Sequence, residues 1–411
     1  RRTPPPTGRG GGPGLHPPME AADGWLVRVR PPLGQLTATQ ADMIARAATH
    51  FGNGRIELTS RGNLQLRGLS PETAPHFAQA LHACGLGGED ASERRRAILL
   101  SPLAGLDPAC DSHTLPIARA LDAHLATADH LSALPAKFVM GVDGGGYVPT
   151  GTIRADITAR AHDGKWQVAC GDARSDCAPD AVPALMLRLA DAFMQVGGNS
   201  RPLHHRGIGM AMFAHLGIVA RSRDDDGPAP ACPTLVGTLP GRCYAVVPPL
   251  GRMAAADLSR LARWCAIHGA GLLRMTPGRT IILPGQVRAP DVTGFVTDPH
   301  DPRLRVVACI GRQGCACTGA DVGADALALA PDVPVGVRLH VSGCPKGCAN
   351  PGRCDLTLVA AATGYDLCRN ARAADTPTLR GLDMVGVRAL LHEGHASADT
   401  PQHQNGEKTP A

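Results

Sequence analysis

Six of the fourteen cysteines in this 411-residue chain crowd between positions 309 and 354. Cys309 and Cys315 stand in CIGRQGC with five residues between them, and Cys344 and Cys348 stand in CPKGC with three between. Each pair follows a β-like run, LRVVA or VGVRLHV, and sits among glycines. Four thiolates brought to one point suit a structural zinc ion or an iron–sulfur cluster. Zinc pairs use a tight spacing of roughly two to four residues on both sides. The five-residue spacer is wide for that geometry and favours a larger 4Fe–4S cubane. Gly314, Gly343 and Gly347 let backbone amides turn toward cluster sulfides, where hydrogen bonds tune the potential. Pro345 stiffens the second loop. Cys317 and Cys354 remain as spare or competing ligands, and the eight scattered cysteines read mostly as small buried hydrophobes.

Composition narrows what such a site could serve. Nothing at the N-terminus, RRTPPPTGRGGGPG, has the apolar stretch of a secretory signal, so the cysteines point to thiols and metal rather than a disulfide framework. That stretch and ADTPQHQNGEKTPA at the other end read as disordered tails. No uninterrupted apolar run approaches the roughly 20 residues that span a bilayer, so a cytoplasmic protein without a membrane partner is expected. Net charge is +5 but only 3% of residues are aromatic, which leaves few stacking platforms for nucleic acid. The basic surplus fits pockets for an acidic small molecule better.

The elements that must position the cysteines show an internal repeat. WLVRVRPPLGQLTATQADMIARAATHFGNGRIELTSRGNLQL (25–66) aligns without a gap on RCYAVVPPLGRMAAADLSRLARWCAIHGAGLLRMTPGRTIIL (242–283). Pro31 falls on Pro248, Gly34 on Gly251, Gly54 on Gly271 and Thr59 on Thr276. Each copy predicts a strand, a PPLG turn, a helix and two short strands. In the first strand Trp25, Val27 and Val29 alternate with Arg28 and Arg30, and in the second helix Leu258, Leu261, Ala262 and Cys265 form an apolar stripe. One βαββ unit cannot bury both faces of its sheet. Two copies sharing a core would make a pseudo-twofold unit.

A longer α/β segment follows each copy, with helices expected at 115–128 and 181–195 and strands around 138–142 and 152–158. The segment at 221–233, RSRDDDGPAPACP, reads as the linker between halves. The expected organisation is a tail (1–19), a half-domain (20–90), an α/β domain (91–228), a second half-domain (229–292), a cysteine-bearing α/β domain (293–395) and a tail (396–411).

The C-x5-C and C-x3-C pairs, with IELTSRGNLQLRG (56–68), resemble the sulfite/nitrite reductase superfamily, an α+β fold with two ferredoxin-like half-domains and two larger α/β domains. Within it DGWLVRVRPP, LTSRGNLQLRGL, ILLSPLAGLDP, HVSGCPKGCA and GYDLCRNARAADTP look most like the precorrin-3B synthase branch, from about residue 14 to 395. This resemblance implies that Cys309, Cys315, Cys344 and Cys348 hold a 4Fe–4S cluster. It implies that Arg61, Gln65, Arg96 and Lys137 bind a tetrapyrrole, whose carboxylate arms call for cations. His204 and His205 could supply iron ligands, although paired histidines are more often a loop accident. The implied reaction hydroxylates precorrin-3A with O2 and closes a γ-lactone, on the route to cobalamin. The resemblance further implies a mononuclear non-heme iron, with substrate in the place of siroheme. No GxGxxG opens a helix after a strand, so NADH is expected to act through a separate reductase.

Three departures weaken a reductase reading. Val139 replaces the second lysine of the reductases' LP-x-K-F-K segment, Glu57 stands where they often carry arginine, and Ala97 departs from their Arg-Asn. Two alternatives stay open: a siroheme-dependent sulfite or nitrite reductase, and a non-catalytic iron–sulfur protein that binds tetrapyrroles.

Overall fold

A computed structural model describes residues 14–15, 18–87, 96–135, 137–150, 155–162, 164–196, 207–223 and 235–396. The described residues group into two compact units, one within 1–20 and 24–299 and the other within 21–23 and 300–411. Among them no helix is long and apolar enough to cross a membrane.

In the first unit the two repeat copies form one folding body. Copy one supplies strand Gly24–Val29, the turn at Pro32–Gly34, strand Gln35–Thr37, helix Ala38–Phe51 and strands Arg55–Leu58 and Leu64–Leu69. The helix starts where it does because Thr37 and Gln40 cap it reciprocally: the Gln40 amide donates to Thr37 Oγ1 at 3.1 Å and the Thr37 amide to Gln40 Oε1 at 2.9 Å. Copy two repeats the set with Cys243–Val246, Pro249–Gly251, Arg252–Ala254, Ala255–His268, Leu272–Thr276 and Thr280–Pro284.

The copies trade their short strands. Arg252–Ala254 of copy two pairs with Arg55–Leu58 of copy one, and Gln35–Thr37 pairs with Leu272–Thr276. The Ala38 amide donates to Gly271 O and the Ala255 amide to Gly54 O, both at 2.8 Å. In both turns a leucine takes a left-handed backbone, Leu33 at φ 50° and Leu250 at φ 56°. The glycine after each abuts the other copy: a Cβ on Gly34 would lie 2.8 Å from Met275 O, and one on Gly251 2.8 Å from Leu58 O. Reciprocal contacts of this kind are the mark of a pseudo-twofold. Both helices and the inner faces of both sheets bury Val27, Ile44, Ile56, Leu66, Leu258 and Leu283 in one core.

The larger α/β segment of this unit pairs Ile98–Leu100, Met140–Asp143 and Ile157–His162 in parallel, then adds Lys165–Cys170 and Ala173–Cys177 antiparallel. Helices Thr114–Thr127 and Val182–Val196 lie within one residue of the expected bounds. The strand expected around 152–158 spans Ile157–His162 instead, and 151–154 lie outside the described residues. Of the expected linker, Arg221–Ser222 adds a short edge strand beside Ala173–Cys177, and 224–234 lie outside the described residues.

The second unit repeats the larger segment's topology. Val306–Ala308, Leu339–Ser342 and Cys354–Ala361 are parallel, and Gly364–Ala371 and Leu379–Leu382 continue antiparallel. Helices Val322–Leu329 and Met384–Ala396 fall where the first large segment has Thr114–Thr127 and Val182–Val196 in its own strand order. The duplicated α+β fold expected from the resemblance is the fold observed.

Candidate functional site

Both cysteine loops leave the carboxyl ends of adjacent parallel strands, where open α/β sheets bind their ligands. Cys309 directly follows Val306–Ala308, and Cys344 follows Leu339–Ser342 after one glycine. The loops are tied to each other by the Gly343 amide, which donates to Cys309 Sγ at 3.1 Å, and within the first loop the Cys317 amide donates to Cys315 Sγ at 3.4 Å. The first loop is clasped by Asp321, which caps helix Val322–Leu329 through the Ala324 amide and accepts from Arg312 and Gln313. In the second, Ser342 Oγ donates to Cys344 O at 2.7 Å and Gly347 takes φ 57°.

Burial pushes the Cys348 thiol up, and Cys344, Cys309 and Cys315 push it further, so each of the other three thiols is within electrostatic reach of it. Every described cysteine is a free thiol. Among the described residues no three His, Cys, Asp or Glu side chains come close enough to hold a single metal ion. Four thiols on two neighbouring loops are the donor chemistry that an iron–sulfur cluster takes. The second loop packs closely against the first, since a Cβ on Gly343 would lie 2.4 Å from Thr318 Cγ2.

In the first large segment the same two strand ends carry no pair of cysteines. There Asp143, 3% exposed, accepts from Ser101 Oγ at 3.0 Å, Thr150 Oγ1 at 2.7 Å, and the Gly145 and Thr150 amides. The scaffold is shared, and a carboxylate network fills in one copy the place the thiols take in the other.

The first unit, taken by itself, carries a polar ladder. On the sheet face opposite the core, Arg28, Gln65, Glu57 and Arg252 stand in register across four strands. Arg28 Nη2 donates to Gln65 Oε1 and Gln65 Nε2 to Glu57 Oε2, both at 3.1 Å. Glu57 Oε1 lies 3.9 Å from Arg252 Nε and 4.0 Å from Arg67 Nη1. Burial, with Arg30 and Arg61 nearby, pushes the Arg28 guanidinium down to about 10. Crowded cations of this kind are relieved by an anion. Arg61 itself is exposed on a turn held by Thr59, whose Oγ1 accepts from the Asn63 amide at 3.1 Å.

Of the residues expected to bind a tetrapyrrole, Arg61 and Gln65 fall in this patch. Arg96 does not present a free fork, because Asp122 takes it bidentately at 2.7 and 2.6 Å. Lys137 is exposed at the start of the segment leading to Met140–Asp143. His204 and His205 lie outside the described residues. Sequence reasoning missed Arg28, Arg30 and Arg252. Alternation in WLVRVR could have found the first two, but Arg252 reaches the face only through the strand exchange.

Two exchanged half-domains, each followed by a larger α/β segment, define the fold class of the nitrite/sulfite reductases. The pattern of the nitrite/sulfite reductase ferredoxin-like half domain matches residues 18–84 and 240–289. A precorrin-3B synthase from Sinorhizobium sp is 32% identical over 398 residues, covering 90% of this chain and 84% of its own. A ferredoxin–nitrite reductase from Synechococcus elongatus is 28% identical, covering 83% of this chain and 77% of its own. The solved NirA protein of Mycobacterium tuberculosis shares the fold, with TM-score 0.66 and 18% identity over 93% of this chain and 82% of that one. The chain belongs to the precorrin-3B synthase family within the nitrite/sulfite reductase superfamily.

Proposed function

We propose that this protein converts precorrin-3A to precorrin-3B, adding one oxygen atom from O2 and closing a γ-lactone. The other oxygen leaves as water, so two electrons and two protons are consumed. We assign their source to NADH, acting through a separate reductase in the cytoplasm. Cys309, Cys315, Cys344 and Cys348 would hold a 4Fe–4S cluster. When bound, such a cluster supplies one-electron transfer. For the mononuclear non-heme iron implied by the resemblance, no group of three metal-holding side chains stands among the described residues.

The chain's own contribution is grip and selection. Arg61 and Lys137 would pair with carboxylate arms, and Gln65 would hold Arg28 in place. Because Asp122 occupies Arg96, we assign the remaining grip to Arg28, Arg30 and Arg252.

One observation carries the choice against sulfite or nitrite reduction. Val139, 3% exposed, packs with Leu99, Ala155 and Ala97 in a small buried apolar cluster. Two of the three departures from the reductase pattern therefore meet in one place, and that place is greasy. An oxyanion pocket needs cations there. The Sinorhizobium relative named precorrin-3B synthase supports the same reading.

The test supplies the protein, carrying its cluster, with precorrin-3A, oxygen and a reductant. The expected product is heavier by one oxygen atom and contains a lactone. Unchanged precorrin-3A, together with six-electron reduction of sulfite or nitrite by the same preparation, would transfer the assignment to the reductases.

A further inference from the structure

The second sheet carries the repeat counterpart of the polar ladder. Ala245, Ile282, Arg274 and Gln35 stand in register where the first sheet has Arg28, Gln65, Glu57 and Arg252. Most of this face is closed by packing, since Cys243, Ala245 and Ile282 join Leu103, Val148 and Leu239 in one apolar cluster. Arg274 is the exception. It is a cation where the first copy has the carboxylate Glu57.

Arg274 is 7% exposed, and its Nη1 donates to Pro102 O at 3.0 Å and Ala104 O at 2.8 Å. Its Nε is buried with no hydrogen-bond partner, and among the described residues no carboxylate lies within ion-pair distance of it. Burial pushes the guanidinium below its ordinary value. An isolated buried charge is costly unless paired. Beside it opens a cavity of about 20 Å³, lined among others by Leu33, Leu100, Ser101, Arg274, Thr276 and Pro277. That is room for one small ion or water, since roughly 10–15 Å³ of such space holds a water molecule. Three segments meet here: the copy-one turn, the loop after Ile98–Leu100 and strand Leu272–Thr276.

We propose that this pocket is a binding site for a small inorganic anion of about the size of chloride, seated on Arg274. The anion supplies the counter-charge that the buried guanidinium lacks, and so fastens the three segments together.

Crystals of the full chain carrying its cluster, grown with bromide as the sole halide, test this at the bromine absorption edge. The expected result is an anomalous peak within hydrogen-bond reach of Arg274 Nε, lost in Arg274→Met. In solution, bromide titrated against gluconate at constant ionic strength should raise Tm by about 2–4 °C in a saturable way. A pocket without anomalous signal, in crystals whose surface sites hold bromide, overturns the proposal. A peak equally strong in Arg274→Met, marking an adventitious ion only, overturns it too. Should that variant not fold, the wild-type map and titration decide alone.

Discussion

The Gly343 amide donates to Cys309 Sγ at 3.1 Å and thereby ties the two cysteine loops together before any metal is considered. Gly343 has no space for a side chain, because a Cβ there would lie 2.4 Å from Thr318 Cγ2. Gly343→Ala should therefore displace one loop from the other and lower iron and acid-labile sulfide together. Cys348→Ala should remove both outright. Protein made and assayed without oxygen should carry roughly four of each per chain in the wild type. Stoichiometric zinc without labile sulfide would sink the cluster assignment.

Arg61→Ala should chiefly raise KM for precorrin-3A. Arg61 sits on an exposed turn within electrostatic reach of Arg28. A charge-assisted hydrogen bond is worth about 1.5–3 kcal/mol, so the expected rise is about ten- to a hundredfold with kcat little changed. Steady-state kinetics check this split. A fall in kcat at constant KM would show that Arg61 acts on the reacting centre.

The carboxylate network in the first large segment is expected to be a stability element. Asp143→Ala leaves Ser101, Thr150 and two backbone amides without their acceptor. Buried donors without partners should cost about 3–5 kcal/mol together, visible as a lower urea midpoint. Cluster content should stay at the wild-type level, since the thiols belong to the other unit.

Alkaline pH should weaken the fold through its buried thiols. Burial pushes Cys265 from 9.0 up to about 12, and burial first, then Asp156 and Asp172, also pushes Cys170 up. The unfolded chain releases these protons near pH 9 while the native one keeps them. The contribution is thus fully present below pH 9 and is lost as pH rises toward the folded value. Urea unfolding across pH 8 to 11 should show a steeper alkaline fall for the wild type than for Cys265→Ala. Equal slopes would contradict this.

Much of this fold was legible because a duplication leaves its register in the sequence. The paired prolines and glycines of the two PPLG turns aligned the copies, and the structure sets Leu33 and Leu250 in the same left-handed backbone. The two cysteine loops were legible because spacing and glycines announce them, and they leave adjacent strand ends. What stayed hidden depends on contacts between distant residues. Arg252 reaches the Glu57 face only by joining the other copy's sheet. Arg96 pairs with Asp122 on a helix that no local motif links to it. Val139 and Ala97 read as two separate departures until folding packed them together.

The proposed reaction is an oxygen-dependent hydroxylation, and the origin of the new oxygen atom separates it from hydration. Cluster-bearing protein should be given precorrin-3A and a reductant under oxygen-18 gas in ordinary water, with a parallel reaction under ordinary oxygen in labelled water. The new hydroxyl should carry the label from the gas and none from water, and no product should form when oxygen is withheld. A hydroxyl labelled from water, or full conversion without oxygen, would contradict it.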